Sequence, residues 1–155
     1  MFRLLHTDVP KVDGPNDGAT VMLNEVGAVR QEAGEPRRRW FTDEEHDLIV
    51  WLAEDDSPRS FQFCYGKGAV ERALTWKPET GFAHQRVDDG ERMGWQKSTP
   101  VLEEREPWDP DGVTQTFLAV AADLPMDISG FVMERLVAAT GNGHRRKAPA
   151  GRRRR

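Results

Sequence analysis

The chain has 155 residues, of which 37% are hydrophobic and 31% charged, and a net charge of −4; that length suits one domain with extensions and is enough to bury a core. No apolar run approaches the ~18–20 residues that cross a bilayer, and the N-terminal "MFRLLHTDVPKVDGP" lacks an apolar stretch of signal-peptide length. The one cysteine, Cys64, excludes an internal disulfide and a thiolate metal site of its own, so the expectation is a cytoplasmic protein away from the membrane.

Residues 1–37 are rich in Gly, Pro, Asp and Asn and read as a loosely ordered N-terminal extension. Within it, Ala19 to Leu23 has the composition of a short strand, flanked by the turn chemistry of "GPNDG" and "GEPRRR". A single domain is expected over residues 38–140, with its core beginning near Trp40. "DLIVWLAED" (47–55) is a compact run of β-formers, and "DDSPRS" after it reads as a turn. In "FQFCYG" (61–66), Phe61, Phe63 and Tyr65 share one face and Gln62 and Cys64 the other, by the period of two. The spacing of these two runs predicts a hairpin.

"KG" at 67–68 marks the next turn, and "VERALTW" (70–76) is a third strand with Arg72, Leu74 and Trp76 on one face. "KPETG" turns the chain again, and "FAHQRV" (82–87) places Phe82, His84 and Arg86 on one face. "STPVLEE" (98–104) has the pattern of an edge strand, where Pro100 is tolerated. "WDPDG" (108–112) reads as a turn, after which the period becomes helical. Val113, Phe117, Leu118, Val120, Ala121 and Leu124 mark a first helix. A second is expected to start at Asp127 or Ser129 and to end at "GNG" (141–143). The expected class is α+β: an antiparallel meander of four to five strands, with two C-terminal helices packed on one face.

Residues 141–155 read as a disordered basic tail. Seven of the 22 Lys and Arg stand there (Arg145, Arg146, Lys147, Arg152, Arg153, Arg154 and Arg155) with no Asp or Glu, which leaves 15 basic against 26 acidic residues before it, a body at −11. Such a tail suits weak nonspecific nucleic-acid binding or an acidic partner. No helix-turn-helix, zinc-finger or ribonucleoprotein signature accompanies it.

The pattern "RRRWFTDEEHDLIVW…FQFCYGKG…ERALTW…GFAHQRVDDGE" resembles a group of short, uncharacterised bacterial proteins. The match runs from about Arg38 to Glu91, with an echo in "STPVL" and the helices after it. The resemblance implies a small bacterial cytosolic protein. It carries no assigned activity, and so implies no reaction, no cofactor and no catalytic residue.

The segment "GFAHQRVDDGE" (81–91) concentrates polar chemistry. With simple strand register, Tyr65, Arg72, Trp76 and His84 face one layer, and Arg86 follows His84 on the same side. This group is either a structural network or a site for a small anionic ligand or a protein partner. Asp88, Asp89 and Glu91 are hard oxygen ligands of the kind that hold Mg²⁺ or Ca²⁺, but the EF-hand spacing is missing. Cys64 and His84 fall on opposite faces unless a bulge intervenes, so Cys64 reads as a small packing residue rather than half of a nucleophile pair. "GKG" (66–68) lacks the Walker spacing for a phosphate loop. No cofactor is implied. The expected function is a noncatalytic accessory domain that binds a small ligand or a protein. The alternatives are a small enzyme using His84 as acid or base on an anionic substrate, and nucleic-acid association through the tail.

Overall fold

The computed structural model describes residues 22–31, 33–87 and 106–144. They form a six-stranded antiparallel sheet in meander order, followed by two helices. The strands are β1 (Asn24–Glu25), β2 (Arg38–Thr42), β3 (Asp47–Leu52), β4 (Pro58–Tyr65), β5 (Arg72–Lys77) and β6 (Gly81–Arg86). The helices are α1 (Pro110–Val120) and α2 (Met126–His144).

Alternation dictates the layers. Leu48, Val50, Phe61, Phe63 and Leu74 point to one face and are fully buried there. Val113, Phe117 and Val120 of α1 and Ile128, Val132 and Leu136 of α2 meet them in one core. Fully burying a side chain of this kind contributes about 1.5–3 kcal/mol. Phe63 and Phe117 meet edge-to-face at 5.4 Å, and Phe61 meets Phe131 in the same way at 6.2 Å. Those two ring pairs pin the sheet to one helix each.

The turns follow local chemistry. Between β2 and β3, the Asp43 carboxylate accepts from the backbone N–H groups of Glu45 and His46, both at 2.7 Å, and so closes the bend. After β4, Gly66 stands at φ 77°, and a Cβ there would lie 2.7 Å from the Val70 carbonyl oxygen. Glycine is required at that position for both reasons.

Several expectations are corrected. The sheet has six strands rather than four to five, because β1 and β2 join it on the N-terminal side. β2 escapes a reading by pattern because it opens with two arginines. The Arg39 guanidinium lies 5.2 Å from the Phe41 ring and bonds Glu25 of β1 at 2.7 Å, so charge and aromatic stem share the strand. β1 and Leu23 lie in the stretch read as an extension, and Leu23 is 1% exposed in the core. Its N–H donates to the Val120 carbonyl at 3.0 Å, which satisfies an orphan group at the end of α1. Pro58, read as part of a turn, begins β4 opposite Leu52.

"WDPDG" is the start of α1 rather than a turn. Asp109 caps the helix by accepting from the Asp111 N–H, and Pro110 takes the first helical position. "GNG" does not end α2, whose backbone continues to His144. A helical glycine costs about 1 kcal/mol relative to alanine without forcing a stop. Residues 98–104, expected as an edge strand, lie outside the described residues.

Candidate ligand-binding groove

The core-facing side of β4, β5 and β6 carries the polar residues singled out in the sequence. The register places Tyr65 opposite Arg72, and Arg72 opposite Arg86. One step along, Leu74 faces His84, and at the far end Trp76 faces Phe82. The hairpins therefore bring Tyr65, Arg72, Trp76, His84 and Arg86 to one face of the sheet, along two ends of one patch.

At the first end, His84 is 3% exposed and stacks with Tyr65 at 6.1 Å. The Tyr65 hydroxyl lies 2.7 Å from His84 Nε2. Burial pulls the His84 pKa below its ordinary value, while the Glu106 backbone opposes that shift. Burial likewise raises the Tyr65 phenol. Both groups are therefore neutral near pH 7, so the phenol donates to Nε2 and Nδ1 carries the ring proton. Nδ1 is buried and makes no well-formed hydrogen bond, although the Glu106 backbone is near enough to favour a proton on the ring. Arg72 pairs with Glu106 at 3.4 Å; both side chains are well exposed, which leaves the pair worth little. Arg86 is exposed and has no ion pair among the described residues, although it faces Arg72 directly.

The second end is open. Trp108, just before α1, packs on Phe82 at 5.0 Å and on His84 at 6.4 Å. Trp76 meets Phe131 of α2 edge-on at 5.8 Å. Between them lies a groove of about 520 Å³ lined by Trp76, Phe82, Trp108, Pro110, Arg135, Ala138 and Ala139. Arg135, Ala138 and Ala139 share one face of α2 by their three- and four-residue spacing. Three aromatic walls, two small side chains and one cation make a mostly apolar cleft with one charged group, within the size range of small-molecule sites.

Of the residues expected to bind a ligand, only Trp76 lines this groove. Tyr65 and His84 bond each other behind Trp108, and Arg72 and Arg86 stand at the rim of the sheet. Sequence reasoning missed Trp108 and Arg135. A tryptophan directly before an Asp-Pro helix start, and an arginine four residues after Phe131 in the helix, were the available signals.

The remaining candidates separate from the groove. Cys64 sits on the opposite sheet face from His84, 2% exposed, and burial pushes its thiol up to about 12. Lys67 of "GKG" is held by Asp47 at 2.8 Å. His46 bonds Asp43 at 2.9 Å in the β2–β3 turn. Among the described residues, no three His, Cys, Asp or Glu side chains are placed to hold a metal ion. Asp88, Asp89 and Glu91 lie outside the described residues, as do Arg145, Arg146, Lys147 and Arg152 to Arg155. No described helix is long and apolar enough to cross a membrane. No family model, no curated protein and no solved structure matches the chain.

Proposed function

We propose that this chain is a noncatalytic binding domain that takes a small apolar ligand in the groove between β5, β6 and α2. The observation that carries the reading is the open cleft itself, walled by Trp76, Phe82 and Trp108 in a fold whose other described aromatic side chains are mostly packed into the core. Binding there removes apolar surface from water on both partners. His84 supports binding over acid–base catalysis. A general base has to come within hydrogen-bond reach of its substrate, whereas this ring is sealed and its Nε2 is engaged by Tyr65. The lone cysteine suits a reducing compartment, and the cytoplasm is the proposed location.

The test is a thermal-shift screen of the full chain against two-ring aromatic compounds, run beside Trp108→Ala. A ligand at 100 times its Kd stabilises the native state by about 2.7 kcal/mol. At this chain length each kcal/mol raises Tm by about 2–4 °C. A hit that raises the Tm of the wild type but not of Trp108→Ala supports the groove. Equal shifts in both proteins, or none in either, would remove it.

A further inference from the structure

We infer that the ligand of the groove is a flat apolar carboxylate, anchored by Arg135. This rests on the groove being a binding site, and adds the chemical class of what fills it.

Among the described residues, the carboxylate paired with Arg135 is that of its chain neighbour Glu134. Its guanidinium carbon lies 3.6 Å from the centre of the Phe131 ring and 4.5 Å from that of Trp76. The two rings hold the planar head in place, so little rotamer freedom remains to be lost on binding. Among the described residues, its hydrogen bonds leave from Nη1, to the Phe131 carbonyl at 2.8 Å and to Glu134 at 3.1 Å. Glu134 is the adjacent residue and its side chain is 79% exposed, a solvent-screened partner that a better acceptor can replace. Nε is buried with no acceptor. An arginine fork offers five N–H donors and matches a carboxylate with two parallel bonds.

The rest of the lining sets the other half of the ligand. Trp76, Phe82 and Trp108 present ring surfaces, Pro110, Ala138 and Ala139 add no donor or acceptor from their side chains, and no acid lines the groove among the described residues. A cationic ligand would meet the Arg135 charge, countered among the described residues by the solvent-screened Glu134. A neutral one would bring no counter-charge to the guanidinium. A planar body with a carboxylate at one end satisfies both parts, and about 520 Å³ accommodates two rings.

The experiment uses isothermal titration calorimetry of the full chain with three matched probes: biphenyl-4-carboxylate, biphenyl-4-carboxamide and 4-phenylbenzylammonium. The expected result is a carboxylate that binds at least about tenfold tighter than the amide, as a charge-assisted bidentate pair implies, with the cation weakest. In Arg135→Gln the ratio of carboxylate to amide affinity falls to about one. Equal affinity of carboxylate and amide for the wild type would overturn the anchor while leaving the groove in place. A carboxylate preference that survives in Arg135→Gln would overturn it as well. Failure of all three probes to bind would overturn both the groove and its ligand. The wild-type ratio decides the matter even if the variant does not fold.

Discussion

His84 and Arg135 are both nitrogen-bearing side chains set among aromatic rings, and each keeps one buried nitrogen without a well-formed hydrogen bond. Around His84 the space is filled: Tyr65 and Trp108 pack against the ring, and 3% of the residue remains exposed. Around Arg135 the rings stop short of one another and leave a cleft. The chemistry that draws the eye in the sequence is the histidine with its neighbouring arginine and acids. The open volume lies by the helix arginine, which no motif marks. A buried polar group among aromatics becomes a site only where the packing leaves a volume beside it.

The largest expected effect that separates the two ends comes from Tyr65→Phe. It strips His84 Nε2 of its donor and leaves a buried acceptor unsatisfied, which costs about 1–3 kcal/mol. Urea denaturation should show that loss, while affinity at the groove stays within about twofold. A parallel fall in groove affinity would mean that the two ends act as one unit. The second test is pH. Burial holds the His84 pKa below the ordinary value of 6.5, so the unfolded chain binds this proton more readily than the folded one. Stability then rises with pH through that window. The contribution is fully present above about pH 6.5 and is lost as pH falls through the folded-state value. His84→Gln should flatten the profile between pH 7 and pH 5, and an unchanged slope would refute the depressed pKa. The smallest effect is expected at the rim. Arg86→Glu places opposite charges across β5 and β6 where two arginines now face each other, and should raise stability by about 0.2–1 kcal/mol at low salt. A loss of stability would show that Arg86 has a favourable role in the present rim.

Much of the sheet was legible because the period of two is a strong signal. The shared face of Phe61, Phe63 and Tyr65, and those of Arg72–Leu74–Trp76 and Phe82–His84–Arg86, follow from alternation alone, and the short turns fix their register. β2 was hidden because "RRWFT" opens with two cations, whose stems pack while their heads reach solvent and acid. "WDPDG" misled because Asp-Pro serves equally as a turn and as a helix cap with proline at the first position. The groove was out of reach for a different reason. Trp76, Trp108 and Arg135 come from three separate elements, and nothing in a sequence sets how a helix face registers on a sheet. Pattern could find the polar half of the patch on consecutive strands. It could not find the half completed by a helix about 50 residues further on.

The meander has a kinetic consequence. Each strand hydrogen-bonds to the one that follows it in the chain, so every pairing closes a short loop and loses little chain entropy. Low sequence separation between contacting residues speeds folding. The sheet can therefore form hairpin by hairpin, β3 with β4 and β5 with β6, before any distant contact exists. Docking of α1 and α2 on the sheet joins residues far apart in sequence and is expected to follow. Mutations in the β3–β4 hairpin should then slow refolding, whereas mutations at Leu136 should mainly speed unfolding. The groove needs α2 in place, so the cleft exists only once α2 has docked.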